Sequence, residues 1–104
     1  MEITIEWSLQ SEKHLKQIFD YYCLEVSLKI AKKTISKIID RVSILQNNPL
    51  AGPIEELLIQ RRHKYRYLVE NNYKIIYQHD ENVITIAAIF DCRQHPEKMS
   101  KTGI

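Results

Sequence analysis

The segment Tyr65-Arg66-Tyr67-Leu68-Val69-Glu70-Asn71-Asn72-Tyr73-Lys74-Ile75-Ile76-Tyr77 constrains this chain more than any other. Two runs rich in Tyr, Val and Ile flank Glu70-Asn71-Asn72, and Asn tolerates the left-handed backbone of tight turns, so the stretch predicts a β-hairpin. Side chains alternate along a strand. An extended first arm therefore sends Arg62, Lys64 and Arg66 to one face, and Tyr65, Tyr67 and Val69 to the other. Three cations on one sheet face repel one another unless water or an anion meets them, so a solvated face and a polyanion-binding face are both open. Tyrosines at period two are more often half-buried packing than platforms for bases.

The rest of the chain supplies a sheet and its cover. Ile3, Ile5 and Trp7 alternate with Glu2, Thr4 and Glu6, which predicts a strand over residues 2–7. From Ser8 the period changes: Leu15, Ile18, Phe19 and Tyr22 form one apolar stripe, and Ala31, Ile35, Ile38, Val42 and Leu45 a second. Ser8 or Ser11 can cap the first helix. Neither Gly nor Pro separates the stripes near residues 23–27. One helix of ~39 residues is unusual in a small domain, and a helical hairpin buries both stripes better, so the hairpin is expected. Asn47-Asn48-Pro49 ends it. Residues 47–60 then form a loop with one helical turn near Ile54–Leu58. Val83–Phe90 is almost wholly apolar and predicts a central strand entered through Asp80-Glu81-Asn82. Pro96 can start a short helix, and Lys101–Ile104 is expected to fray. The fold class is thus α+β: an N-terminal strand, a helical hairpin and a three-stranded antiparallel meander, in one sheet with the helices on one face and the other face free.

Length and charge narrow the function. With 104 residues the chain is one domain, 1–104, able to bury roughly two thirds of its unfolded surface. The net charge of +2 is too small to declare a nucleic-acid binder, but Arg61–Lys74 holds five Lys or Arg against Glu70 alone. Cys23 and Cys92 form no CxxC pair, and the acidic, alternating N-terminus is no secretory signal, so reduced thiols and a cytoplasmic location are expected. No apolar run approaches the ~20 residues of a membrane span. With only Gly52 and Gly103 there is no Gly-rich phosphate loop. His63, His79, Cys92 and His95 lack metal-ligand spacing, so no metal or other cofactor is expected.

The last strand runs into Asp91-Cys92-Arg93-Gln94-His95-Pro96. If Arg93 and His95 share a side with Arg66 and Lys74, the four make a candidate catalytic set. The cations would stabilise a pentacoordinate phosphate while His95 transfers a proton, so the 2′-hydroxyl of RNA could attack without a metal. Arg62 and Lys64 would extend the RNA- or polyanion-binding surface. The same parts also suit a plain polyanion surface or a dock for an acidic peptide.

In order and spacing, several segments resemble toxins of the RelE/ParE superfamily, the toxic halves of bacterial type II toxin–antitoxin modules, often called plasmid stabilisation proteins. They are Trp7, Asp20-Tyr21-Tyr22, Leu45-Gln46-Asn47-Asn48-Pro49 with Gly52, Tyr65 to Val69, Asn72 to Tyr77 and Phe90 to Pro96. The resemblance implies a growth-inhibiting toxin neutralised by a cognate antitoxin, and it leaves two targets open. RelE-like members are ribosome-dependent endoribonucleases that cut mRNA in the ribosomal A site and so inhibit translation; ParE-like members poison DNA gyrase without a recognised catalytic set. An inactive relative that only binds its antitoxin is a third reading. On the ribonuclease branch, Arg66, Lys74 and Arg93 fall where that branch has basic residues, and Arg93-Gln94-His95 matches an Arg-x-His-Tyr tail up to Pro96, which stands where Tyr would be. Glu55 or Glu56 is an alternative base. The Tyr-Arg-x-Leu-Val and Tyr-Lys-Ile-Ile-Tyr strands look more ParE-like. An acidic or amphipathic antitoxin segment is expected to wrap the helical pair and approach the cationic face.

Overall fold

The computed structural model describes residues 2–102 and Ile104, with Ser100 by its backbone alone. Strand β1, Thr4–Trp7, leads into helix α1, Leu9–Glu25, and helix α2, Leu28–Ser43. Strands β2, Arg66–Glu70, β3, Tyr73–Asp80, and β4, Val83–Asp91, follow. They form one sheet in the order β1-β4-β3-β2, with β1 parallel to β4 and the other pairs antiparallel. β4 is central, as its apolar run predicts. Asn71 takes φ 55° in the β2–β3 turn, the left-handed conformation expected there.

The helical hairpin breaks without Gly or Pro because Ser27 caps the second helix. Its Oγ accepts the Ile30 N–H at 3.1 Å, while the Val26 and Ser27 N–H groups both close onto the Tyr22 carbonyl at 2.9 Å. Ser8 caps α1 in the same way, accepting from the Ser11 N–H at 3.0 Å. The two apolar stripes then pack on one sheet face, where Ile38, Val42 and Leu45 meet Ile75, Tyr77, Ile84 and Ile86.

The opposite face is covered, contrary to the expectation of a free face. Leu58 and Met99 pack there against Tyr65, Ile76, Ala88 and Phe90, and Ile104 joins them. Leu58 closes a 3-10 turn, Glu56–Leu58, and Met99 lies in a 3-10 helix, Pro96–Lys101, started by Pro96 as predicted. The chain end is not loose either: the Arg61 side chain donates to the Ile104 carbonyl at 3.0 Å, while Gly103 lies outside the described residues. A register shift between Ile76 and Tyr77 pairs them with Ala88 and Ile86, so Ala87 is an extra residue in β4. This bulge lets Ile86 and Ile89 serve the helical side while Ala87, Ala88 and Phe90 serve the other.

Loop 47–55 is fastened to the sheet by polar contacts. The Tyr77 hydroxyl, fully buried, donates to the Pro49 carbonyl at 2.9 Å and accepts the Gly52 N–H at 3.0 Å. A Cβ on Gly52 would fall 2.2 Å from the Tyr67 carbonyl oxygen, so only glycine lets the loop lie this close. Pro53 and Glu55 then bond along the outer edge of β2, accepting from Tyr67 and donating to Tyr65. That pairing explains why β2 starts only at Arg66: the chain turns through bends before it, and Arg62 and Lys64, expected on the strand, lie exposed outside it.

Candidate functional site

The expected cation set does not converge. Arg66 is in register with Tyr77, whose ring packs on the helical side, and its guanidinium donates to the Gly52 carbonyl at 2.9 Å. Lys74 is in register with Phe90, which packs on the other side. The two cations therefore sit on opposite faces, since neighbours directly across a sheet share a face and the register shift begins only after Ile76. Lys74 is also committed: its Nζ lies 2.7 Å from Glu55 Oε2 and 4.3 Å from the centroid of the Tyr67 ring. Glu55, one of the alternative bases, is only 3% exposed and also accepts the Leu57 N–H at 3.1 Å. Glu56 is exposed.

Arg93 stands at the far end of β4. Asp91 grips it through Nε at 3.0 Å and a terminal nitrogen at 2.8 Å, while the Arg93 backbone N–H also donates to Asp91 at 2.9 Å. This grip holds the Asp91 carboxyl below its ordinary range and raises Arg93 further. His95 is exposed, 3.6 Å from the exposed Glu97.

What the fold does assemble near Arg93 is a cleft of about 560 Å³. It exists because β1 is short. β1 pairs with Val83–Ile86 only, yet β4 runs on to Asp91, leaving its outer edge without a strand. Side chains from the helical start fill part of the gap: the Ser8 hydroxyl donates to the Ala87 carbonyl at 3.0 Å, and His14 Nδ1 accepts the Ile89 N–H at 3.0 Å. That bond requires neutral imidazole, and burial first, then Lys13, pushes the His14 pKa down. Tyr21 and Gln17 of α1, Arg93 and Gln94 after β4, and Lys98 and Lys101 of the last helix line the opening. Tyr73 lies against it, its hydroxyl held protonated above the usual range by burial and then by Tyr22. Sequence reasoning found Arg93 here but missed His14, Tyr21, Lys98 and Lys101. His14, Ile18 and Tyr21 follow helical spacing, a visible signal that the apolar stripe masked.

A second groove of about 550 Å³ separates the helical pair from the β2–β3 turn, with Ile30 and Ile38 among its apolar walls and Lys33 and Lys37 among its polar ones. No group of three or more His, Cys, Asp or Glu among the described residues could hold a metal ion, and no described helix is long and apolar enough to cross a membrane. Cys92 is exposed as a residue, but its thiol is partly desolvated, which raises its pKa and works against thiolate formation.

A helical hairpin on one face of a four-stranded mixed sheet, with basic side chains around a cleft at one end, defines a small α+β domain. Residues 5–96 match the family described as ParE toxin of type II toxin-antitoxin system, parDE, and the chain belongs to that family. A solved structure described as the chromosomal ParDE TA system from P. aeruginosa has the same fold, with a TM-score of 0.72 at 20% identity over 86% of this chain and 95% of that one. No curated protein matches the chain.

Proposed function

We propose that this toxin arrests growth by binding DNA gyrase rather than by cutting message, and that a cognate antitoxin encoded beside it holds it in check in the cytoplasm. The commitment of the cations carries this reading. Metal-free cleavage of RNA needs a proton carrier and cations gathered around one phosphate. Here Arg66 and Lys74 lie on opposite faces of the sheet, Lys74 is paired with Glu55, and the exposed His95 stands beside Glu97 rather than among the cations. A toxin that acts by surface contact needs no such convergence. Arg62 and Lys64, exposed before β2, remain available for such contact.

The antitoxin segment that suits the second groove is amphipathic and acidic. Its apolar side would cover Ile30 and Ile38, and its carboxylates would meet Lys33 and Lys37. The test is induction of the gene in cells. Growth should stop, co-expression of the neighbouring small gene should restore it, and gyrase alleles that resist the protein should restore it too. Toxicity that ignores every gyrase allele would remove gyrase as the target. Absence of toxicity would favour an inactive, antitoxin-binding relative.

A further inference from the structure

We propose that the cleft beside the uncovered part of β4 is a binding site for a nucleic-acid strand, with phosphates on Arg93, Lys98 and Lys101 and one base against the Tyr21 ring. The first support is charge. Three cations face a single lining carboxylate, Asp91, and among the described residues neither Lys98 nor Lys101 is held in an ion pair. A guanidinium carries five N–H donors, and Asp91 takes two from Arg93, so the grip fixes the planar fork while leaving donors for a phosphate oxygen.

The backbone adds to this. Ile89 turns its N–H to the open edge, where His14 accepts it, and strand alternation turns the Asp91 N–H to the same side. An outward amide beside three cations favours an anion over a neutral ligand.

The aromatic and amide side chains select the kind of anion. Tyr21 lines the opening and is 51% exposed, with its ring perpendicular to that of Tyr22 and centroids 5.2 Å apart, so ring surface is available to a base. Gln17 and Gln94 flank the same opening with donors and acceptors. An acidic peptide would also meet the cations and the amides, but the cations, the exposed ring and the amides together match the alternating phosphates and bases of a nucleic-acid strand. Competition by poly-glutamate separates the two. A volume of about 560 Å³ accommodates one or two nucleotides.

The inference deepens the gyrase reading, since the substrate of that enzyme is DNA, but its test contains no gyrase, so either can fail alone. The probes are labelled oligo(dT) of eight nucleotides, a duplex of the same length and an RNA octamer, each measured by fluorescence anisotropy at several salt concentrations. Three phosphate contacts to a single strand give a log–log salt slope of about −2, or roughly a 20-fold loss of affinity between 50 and 200 mM salt. Lys98→Ala and Lys101→Ala should each reduce that slope by about 0.7. Tyr21→Ala should weaken single-strand binding roughly tenfold, with little effect on the duplex. The preferred probe separates DNA from RNA as the natural strand. Lys32→Ala, on the outer side of α2, removes the same charge elsewhere and should change nothing. Circular dichroism checks that each variant is folded. Equal losses from Lys32→Ala and the cleft variants would mean general electrostatics and overturn the proposal. So would full competition by poly-glutamate at equal charge, or no binding at 50 mM salt.

Discussion

Replacing Lys74 with alanine asks whether this lysine holds the fold together or waits for a substrate. In the native protein its ammonium is 2.7 Å from a Glu55 carboxylate that is 3% exposed, and it lies over the Tyr67 ring. Removing one partner of a buried ion pair costs about 3–5 kcal/mol, because the other charge is left desolvated. The Lys74 side chain is 22% exposed, so water partly relieves the orphaned carboxylate and about 2–4 kcal/mol is the better figure. A domain of this size has about 5–15 kcal/mol in all. With a urea slope of about 1–2 kcal/mol/M, the midpoint should fall by about 2 M. The double variant Glu55→Gln with Lys74→Met removes both charges yet leaves an amide oxygen for the Leu57 N–H, and it should recover at least half of the loss. Urea titrations of the parent, Glu55→Gln, Lys74→Met and the double variant complete the cycle. A Lys74→Ala protein within about 0.5 kcal/mol of the parent would refute the reasoning and return Lys74 to the list of free anion-binding groups.

Two further outcomes follow from buried polar contacts. Tyr77→Phe deletes one hydroxyl and leaves both the Gly52 N–H and the Pro49 carbonyl without partners; urea unfolding should show a loss of about 2–4 kcal/mol, where a change below about 0.5 kcal/mol would mean that water replaces it. His14 gives a pH effect of defined sign. Its folded pKa lies below the ordinary 6.5, so its stabilisation is complete above that pH and is lost as the pH falls through 6.5 towards the lowered folded value. Unfolding measured from pH 8 to pH 5 should show that decline in the parent, and a smaller one in His14→Gln.

The meander was legible because each strand carries its own signal: period two in β1, unbroken apolar residues in β4, and Asn71 at the turn. The boundary between α1 and α2 was legible only by length, although Ser27 marked it with a cap. The covered second face was not legible. Its cover comes from Leu58 and Met99, single apolar residues in short 3-10 segments, and no periodicity announces such pieces. The error in the site has the same root. Arg62, Lys64 and Arg66 share a face only on a continuous strand, but the loop that pairs with β2 starts it at Arg66. Lys74 and Arg66 were grouped by charge, whereas strand register puts them on opposite faces. Arg93 was found because it ends a clear strand. The cleft beside it depends on β1 being shorter than β4, a mismatch that appears only when the two are paired.

The central claim, a toxin that acts by binding gyrase, is tested most directly by adding the purified protein to two reactions side by side: DNA supercoiling by gyrase, and programmed ribosomes carrying labelled message. The account predicts that supercoiling stops while message stays intact, with antitoxin reversing the block. Message cut at the A-site codon, with supercoiling untouched, would contradict it.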